Sequence, residues 1–120
     1  MSPLVDYRRV KKVSLAGRSF ASKLERDVYL WLLSYEQAGK LRDIRQQPHV
    51  FLTRARIEYI PDYSAVDAVT GETLYYEAKG FEQAPWRIKR KLWTVYGPGP
   101  LFVLKPGEDW GRVRPIMPRG

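Results

Sequence analysis

The clearest hydrophobic pattern in the chain is helical and lies in FASKLERDVYLWLLSYEQAG, residues 20–39. Ser22 precedes the pattern as a candidate N-cap, and Gly39 stands where the helix is expected to end. Five large side chains recur at the spacing of helical turns, which predicts one buried stripe: Leu24, Val28, Trp31, Leu32 and Tyr35.

The chain after this helix is rich in β-branched and aromatic residues, which favour strands. Residues 45–69, RQQPHVFLTRARIEYIPDYSAVDAV, predict two strands, the second running from Arg56 to Val69. Thr70-Gly71 predicts a tight turn into a third strand at residues 72–81. The second and third strands are therefore expected to form a hairpin.

A second helix is predicted from Pro85 to Tyr96, since GPGP at residues 97–100 stops it. Its apolar residues Ile88, Leu92 and Val95 are expected to face inward. Its basic residues are expected to face solvent: Arg87, Lys89, Arg90 and Lys91.

The end of the chain completes the predicted order of elements. LFVLK, residues 101–105, predicts a short apolar strand, and residues 110–116 predict an edge strand. The order helix, strand, strand, strand, helix, strand predicts an α/β fold in the broad sense, a mixed α+β sheet with a helix on either side. A length of 120 residues fits one domain, with a basic arm at 1–19, a core at 20–105 and a tail at 106–120.

The charge of the chain indicates a polyanionic partner. Lysine and arginine total 21 against 13 acidic residues, which gives a net charge of +8 and a pI near 9.9. Such a chain favours DNA, with phosphate contacts expected from the arm and the helices: Arg8, Arg9, Lys11, Lys12, Arg18, Lys23, Arg87, Lys89, Arg90 and Lys91. Charge alone is equally typical of a non-catalytic DNA-binding module.

Other features of the composition exclude several classes of protein. The chain has no cysteine, which excludes a disulfide framework and a thiolate metal site. It has neither an apolar stretch long enough to span a bilayer nor the apolar core of a signal peptide. A cytoplasmic protein without a membrane partner is therefore expected.

Candidate chemistry lies in LYYEAKGF, residues 74–81, where a carboxylate and an ammonium stand two residues apart in an apolar strand. If Thr70-Gly71 are the two loop residues of the hairpin, Asp62 faces Lys79; a register shifted by two places Asp62 opposite Glu77. In either register Asp62, Glu77 and Lys79 share one face, because strand side chains alternate.

Two carboxylates and a lysine on one face suit metal-assisted hydrolysis of a phosphodiester. Mg²⁺ takes a few carboxylate or carbonyl oxygens and keeps several waters, so Asp62, Glu77 and the main-chain oxygen of Ala78 are candidate ligands. The ion would polarise the phosphate and activate a bound water. Lys79 would orient that water and stabilise the developing negative charge.

Each of these residues also has a structural interpretation. Glu25 in SKLE could add a third acid, or it could close a capping box with the Ser22 amide. Asp62 could form a turn, and Glu77 and Lys79 could be a solvated pair that contributes about 0.2–1 kcal/mol. Taken together, these interpretations require three unrelated coincidences on one face of a very basic protein.

Pro61-Asp62 followed by Glu77-x-Lys79 resembles the signature of the PD-(D/E)xK nuclease superfamily. The likeness also includes FASKLERDVYLWLL before the signature, QQP between, and a basic helix after YYEAKGF, and it covers residues 18–96. As a set, these motifs are similar to phage-encoded members of the superfamily. Those members are the endonuclease I type enzymes that resolve branched DNA and related Holliday-junction-resolvase-like nucleases.

The resemblance implies a restriction-endonuclease-like core, a mixed sheet flanked by helices, and DNA cleavage that depends on Mg²⁺ or Mn²⁺. It implies catalytic roles for Glu25, Asp62, Glu77 and Lys79, with the three acids at the metal, and a place near the site for Gln47. Such enzymes act as homodimers, because a four-way junction needs two symmetric nicks. A phage-encoded enzyme would work in the cytoplasm of its bacterial host.

Residues and resemblance together predict a Mg²⁺-dependent endodeoxyribonuclease, and within that class a Holliday junction resolvase that makes paired nicks in four-way DNA. Two alternatives stay open. One is a nuclease of the same core that cuts linear duplex or transposon-end DNA. The other is a non-catalytic basic module that only binds DNA.

Overall fold

The computed structural model describes residues 17–119, so Arg8, Arg9, Lys11 and Lys12 of the predicted arm lie outside the described residues. None of the helices in the described part is long and apolar enough to cross a membrane. The elements in chain order are α1 (Lys23–Gln37), β1 (Leu41–Gln46), β2 (Val50–Leu52), β3 (Ile57–Tyr59), β4 (Tyr63–Asp67), β5 (Thr73–Ala78), α2 (Ala84–Tyr96), β6 (Leu101–Leu104) and a 3₁₀ helix (Trp110–Arg112).

Four strands form one mixed sheet in the order β1, β4, β5, β6. β4 is antiparallel to both β1 and β5, whereas β5 and β6 run parallel and are joined through α2. β2 and β3 form a separate antiparallel hairpin. The predicted α+β architecture with a mixed sheet and two helices is therefore confirmed.

Neighbouring residues of β5 face opposite sides of the sheet, and each side is covered by one helix. Tyr76 packs in an apolar cluster with Val28 and Leu32 of α1. Tyr75 packs against a second cluster that α2 and the β2–β3 hairpin supply with β6: Val50, Leu52, Tyr59, Trp86, Trp93 and Leu101. The two helices thus lie on opposite faces, as the order of elements predicts.

Both predicted ends of α1 are confirmed. Ser22 caps the helix, because its Oγ accepts a hydrogen bond from the Glu25 N–H at 3.1 Å. Gly39 follows the helix with a φ of 75°, a left-handed conformation that glycine adopts without strain. The predicted stripe packs in the α1-side cluster, with two residues buried and three partly buried: Val28, Leu32, Leu24, Trp31 and Tyr35.

The predicted long strand from Arg56 to Val69 is wrong, because the chain is interrupted between β3 and β4. Ile60, Pro61 and Asp62 belong to neither strand. Pro61 has no N–H to donate to a sheet and is buried where the chain passes from the small hairpin into the main sheet. The interruption places Asp62 directly before β4 instead of inside a long strand.

The pattern of apolar residues does not predict β1. Its sequence, LRDIRQ, contains three charged residues, and its pairing with β4 is irregular between Arg42 and Arg45. Asp43 takes a φ of 53° at this irregularity. A bulge shifts the alternation of side chains, so the strand has no clean period of two.

The β4–β5 hairpin has a longer loop than the two residues predicted. The Asp67 N–H donates to the Glu72 carbonyl oxygen at 2.8 Å, which leaves residues 68–71 in the loop. Oδ1 of Asp67 accepts hydrogen bonds from the N–H groups of Val69 and Thr70, at 2.8 and 3.1 Å. An aspartate side chain therefore stabilises a loop that the Thr-Gly pair alone does not specify.

The longer loop selects the second of the two registers that the sequence allows. Ser64 pairs with Tyr75 and not with Glu77. Continued by one pair beyond the start of β4, this register places Asp62 opposite Glu77. The register with Lys79 opposite Asp62 is therefore wrong, and the two carboxylates are neighbours.

α2 buries a different face from the predicted one. Trp86 and Trp93 are 8% and 0% exposed, whereas Ile88 and Val95 are 61% and 51% exposed. The two indoles have much larger apolar surfaces than the aliphatic side chains, so they occupy the inner face. Leu92 lies at the boundary, partly buried against the tryptophan cluster.

The predicted outward face of α2 is only partly confirmed, because Lys89 and Arg90 are partly exposed and also bind other residues. Lys89 Nζ donates a hydrogen bond to the Glu58 carbonyl oxygen. Arg90 binds Oε1 of Glu82 at 2.9 Å and lies over the Trp86 ring, 5.6 Å from its centroid. Both cations therefore stabilise the packing of α2.

The tail packs on the fold instead of adding a full edge strand. Trp110 begins the 3₁₀ helix and packs against the α1-side cluster. Ile116 makes an isolated bridge to β6, through reciprocal hydrogen bonds with Leu101 at 2.8 and 3.1 Å. The predicted edge strand is thus reduced to one bridge.

Candidate active site

The start of β4 and the end of β5 meet at one end of the sheet, because the two strands are antiparallel. Asp62 directly precedes β4, while Glu77 and Ala78 end β5 and Lys79 follows it. The Ala78 N–H donates a hydrogen bond to Oδ2 of Asp62 at 2.7 Å. The fold therefore brings the two predicted acids and the lysine together at this end of the hairpin.

Among the candidate residues that the structure describes, Glu77 is the most buried, at 6% exposed. The hydroxyl of Tyr59 donates a hydrogen bond to Oε1 of Glu77 at 2.7 Å. Oε2 lies 3.4 Å from Nζ of Lys79. A buried carboxylate is costly unless its oxygens have partners, and here each oxygen has one.

Lys79 is held between Glu77 and an aromatic ring. Its side chain is 24% exposed, and Nζ lies 5.3 Å from the centroid of the Trp86 ring. Its backbone N–H donates to the Leu104 carbonyl oxygen at 2.9 Å, which continues the pairing with β6. The ammonium is therefore fixed beside Glu77 and still reaches solvent.

Glu25 caps α1 and also approaches Asp62. Its Oε2 accepts a hydrogen bond from the Ala21 N–H at 3.1 Å, so the capping partner is Ala21 and not the predicted Ser22 amide. The hydroxyl of Tyr63 donates to the Glu25 carbonyl oxygen at 2.9 Å, which joins the first turn of α1 to the start of β4. The Glu25 carboxyl lies close enough to Asp62 to add to the rise of its pKa.

Gln47 lies beside Asp62 through the chain segment between β1 and β2. Its N–H donates to the Asp62 carbonyl oxygen at 2.8 Å, and its φ is 54°. With Arg18, Glu25 and Gln46 it lines an open hollow of about 630 Å³. Gln47 is therefore a backbone neighbour of the site whose exposed side chain borders this hollow.

The electrostatics of the site favour a bound cation. The pKa of Asp62 is raised to about 8, first by burial and then by the negative charge of Glu77; the Ala78 N–H opposes this rise and Glu25 adds to it. Burial also raises the pKa of Glu77, against the opposing effects of Tyr59 and Lys79. Without a cation the two carboxyl groups therefore resist ionising together, and a bound divalent cation would favour the ionised form of both.

Within residues 17–119 no three His, Cys, Asp or Glu side chains form a group that could hold a metal ion. Glu25 and Glu77 each lie near Asp62, but the three acids do not surround a common centre. Mg²⁺ is often held by only one or two protein carboxylates, with water and substrate phosphate oxygens in its other positions. Asp62 and Glu77 meet that smaller requirement, so the residues present fit Mg²⁺ or Mn²⁺.

The main-chain oxygen of Ala78 lies on the Asp62 side of β5. In an extended strand the N–H and C=O of one residue face the same neighbour, and the Ala78 N–H binds Asp62. The backbone N–H of Lys79 instead faces β6. The Ala78 carbonyl is therefore on the side from which it could supply one more oxygen ligand.

The predicted DNA contacts fall into two groups in the described part of the chain. Lys89 and Arg90 are used in packing, as described above. The side chain of Arg18 lies near the site, with NH1 3.4 Å from Oε1 of Gln46. The exposed members of the predicted set are Arg18, Lys23, Arg87 and Lys91.

Tyr59 and Trp86 are the residues of the site that sequence reasoning misses. Strand composition indicates packing in the sheet or stacking on DNA bases for Tyr59, and nothing in the helical pattern links Trp86 to the acids. The only sequence signal for Tyr59 is its position two residues before Pro61. Their contact with Glu77 and Lys79 depends on how the β2–β3 hairpin and α2 pack on the sheet.

Comparison of the chain with known protein families, with characterised proteins and with solved structures gives no match. Function is therefore inferred from the geometry of these side chains together with the resemblance of the sequence motifs.

Proposed function

We propose that the protein is an endonuclease that hydrolyses DNA phosphodiester bonds with Mg²⁺ or Mn²⁺. The observation that carries the proposal is the meeting of Asp62 and Glu77, with Lys79 beside them, at one end of the sheet. A net charge of +8 supports DNA as the substrate. The motif resemblance adds the more specific proposal of a restriction-endonuclease-like core.

In this proposal Asp62 and Glu77 hold the metal ion, and the Ala78 carbonyl and Glu25 complete its surroundings directly or through water. A bound divalent ion would polarise the scissile phosphate and lower the pKa of an attacking water. Lys79 orients that water and stabilises the negative charge that develops on the phosphate. Glu77 is 6% exposed, so one of the proposed ligands lies largely away from bulk water.

The exposed basic side chains in the described part of the chain are proposed to bind the phosphate backbone of DNA. Arg18 and Lys23 lie near the start of α1, close in sequence to Glu25, whereas Arg87 and Lys91 lie on the outer surface of α2. Contacts of this kind position a duplex and make its binding depend on salt, without reading its sequence. Metal-assisted hydrolysis would then take place at the DNA phosphate that lies next to Asp62.

A four-way DNA junction is the proposed substrate, on the basis of the motif set. Resolution of a junction needs two nicks related by symmetry, so we propose a homodimer that supplies two copies of the site. Linear duplex or transposon-end DNA is the alternative substrate for the same chemistry.

One specific observation favours a second candidate, a DNA-binding module without catalysis. Glu25 is engaged in capping α1, and the described residues contain no ready-made group of three metal-binding side chains. In that case Asp62 and Glu77 would be structural, and the basic surface would provide the whole function.

One experiment separates these possibilities. A labelled four-way junction, a linear duplex and a single strand are incubated with the protein, with and without Mg²⁺, and the products are resolved on a denaturing gel. Symmetric nicks in the junction alone support resolution, and cleavage of the linear duplex supports the alternative substrate. Binding that is sensitive to salt, with no cleavage in Mg²⁺ or Mn²⁺, would favour the non-catalytic module.

A further inference from the structure

The small β2–β3 hairpin contributes one polar group, the Tyr59 hydroxyl, to the candidate site. Tyr59 of β3 is 7% exposed, and its ring packs edge-to-face on Trp93 with centroids 5.7 Å apart. A buried phenol needs a hydrogen-bond partner at its polar end. That partner is Oε1 of Glu77, at 2.7 Å.

Trp86 of α2 contacts both groups that flank Glu77. Its Nε1–H donates to the Tyr59 hydroxyl oxygen at 3.4 Å, and its ring lies under Nζ of Lys79 at 5.3 Å. The indole is 8% exposed, so its position is set by packing. The N–H of Trp86 therefore favours the orientation in which the Tyr59 O–H points at Glu77.

This arrangement distinguishes the two oxygens of Glu77. Tyr59 occupies Oε1, while Oε2 remains on the side of Lys79 at the looser distance of 3.4 Å. A carboxylate tethered through one oxygen has few rotamers left, so its second oxygen is presented in a fixed direction. Neighbours of this kind, which touch a ligand and not the ion, orient metal-binding side chains in proteins.

We propose that Tyr59 is a positioning residue, which holds Oε1 of Glu77 so that Oε2 is presented to a divalent cation, and that Trp86 orients the Tyr59 hydroxyl. This inference rests on the proposed function, because it assigns Glu77 as a cation ligand. It adds a role for the β2–β3 hairpin beyond its packing with α2 and β6.

Tyr59→Phe is the direct test, because phenylalanine keeps the ring on Trp93 and removes the hydroxyl. The full-length variant should bind Mn²⁺, measured by calorimetry without DNA, about ten-fold more weakly than the wild type. Cleavage should need correspondingly more Mn²⁺ and recover substantially at saturation. DNA binding in EDTA should not change.

Tyr75→Phe is the matched control. Tyr75 also packs edge-to-face on Trp93, at 5.0 Å, and belongs to the margin of the same apolar cluster. Its variant should bind Mn²⁺ like the wild type. A purely structural role for Tyr59 predicts instead a lower melting temperature with an unchanged Mn²⁺ dissociation constant, which would overturn the inference.

Trp86→Phe keeps the test decisive if Tyr59→Phe does not fold. It keeps an aromatic ring under Lys79 and removes the N–H that orients the tyrosine, so Mn²⁺ binding should weaken in the same direction. If both variants fold, wild-type Mn²⁺ affinity in both would contradict the inference. If only Trp86→Phe folds, wild-type Mn²⁺ affinity in that variant would contradict it.

The same measurements separate this inference from the proposed function. If the wild type neither binds Mn²⁺ nor cuts DNA, both ideas fail. Suppose instead that the wild type binds Mn²⁺ and cuts DNA, whereas Asp62→Asn does neither. If Tyr59→Phe then behaves like the wild type, the proposed function stands and only the role of Tyr59 fails.

Discussion

The backbone N–H of Ala78 donates a hydrogen bond to Oδ2 of Asp62 at 2.7 Å, so the residue before β4 is tied to the last residue of β5. This contact fixes one oxygen of Asp62 and leaves Oδ1 for another partner. Because Glu77 precedes Ala78, the same contact holds the partly buried carboxyl group of Asp62 near the buried carboxyl group of Glu77. Removal of the Asp62 charge is therefore expected to act directly on the site.

Asp62→Asn should abolish metal-dependent cleavage and leave junction binding intact or tighter. The carboxamide oxygen can still accept the Ala78 hydrogen bond, so the fold is retained, while a metal ligand and a negative charge facing phosphate are lost. Cleavage gels in Mg²⁺ and binding titrations in EDTA measure the two effects. Asp109→Asn makes the same change of charge in the tail, at a side chain that is 64% exposed, and should cut normally. Normal cleavage by Asp62→Asn would show that the site is misassigned.

Metal-free protein should lose stability as the pH rises from about 4 toward 8. The pKa of Asp62 is raised from 3.8 to about 8 on folding, so the proton is bound more tightly by the folded state. The stabilisation is complete below the unfolded pKa and is lost as the pH rises through the folded pKa. From this group the slope is at most about 1.4 kcal/mol per pH unit.

Thermal unfolding in EDTA at several pH values, for the wild type and Asp62→Asn, measures this effect as the difference between the two proteins. The variant should lose less stability over the same range, since asparagine does not titrate. Groups remote from Asp62 titrate alike in both proteins, so their contributions cancel in the difference. Identical pH dependence would mean that Asp62 does not retain its proton on folding.

Ser22→Ala and Glu25→Gln should separate the two roles of the first turn of α1. Ser22→Ala removes the side-chain cap of the Glu25 N–H and should destabilise the protein by about 1 kcal/mol, with cleavage unchanged below the melting range. Glu25→Gln keeps an oxygen for the Ala21 N–H and loses the charge, so stability should change little while cleavage falls. Melting curves and single-turnover rates test the pair. A Glu25→Gln variant that is less stable but cuts normally would make Glu25 a cap only.

Lys79→Met should reduce the rate of cleavage about 10²- to 10³-fold at saturating Mg²⁺, the effect expected when a donor to a developing negative charge is removed. Methionine keeps an apolar stem against Trp86 and removes the ammonium beside Glu77. The variant should still bind Mn²⁺, because the metal ion no longer has to compete with the Lys79 ammonium for Oε2 of Glu77. A change in metal affinity with an unchanged saturated rate would place Lys79 outside the chemical step.

Lys91→Ala and Lys89→Ala remove the same charge from α2 but should have different effects. Lys91 is exposed, so its loss should weaken DNA binding for all sequences and lower the salt slope of binding by about one. Lys89 donates to the Glu58 carbonyl, so its loss should lower the melting temperature. Fluorescence anisotropy at several salt concentrations and thermal melts measure the two effects. If Lys91→Ala leaves the salt slope unchanged, the outer face of α2 does not contact DNA.

Several properties of this protein follow from the sequence alone because they depend on residues close together in the chain. The ends of α1 are set by Ser22 and Gly39, whose effects act within one turn of the helix. The grouping of Asp62, Glu77 and Lys79 follows from the alternation of strand residues and a single hairpin. The net charge, which favours a phosphate-rich partner, is a property of composition.

Other properties were decided only by the tertiary structure. The β4–β5 register goes with a four-residue loop that the Asp67 side chain at the end of β4 stabilises, and this register places Asp62 opposite Glu77 instead of Lys79. The buried face of α2 was decided by the competition between two indoles and smaller aliphatic side chains for one sheet surface. Tyr59 reaches Glu77 across 18 residues because the β2–β3 hairpin packs on α2, and local periodicity carries no information about such contacts. The sequence alone thus determined which groups are available, whereas packing between distant elements decided which of their atoms meet.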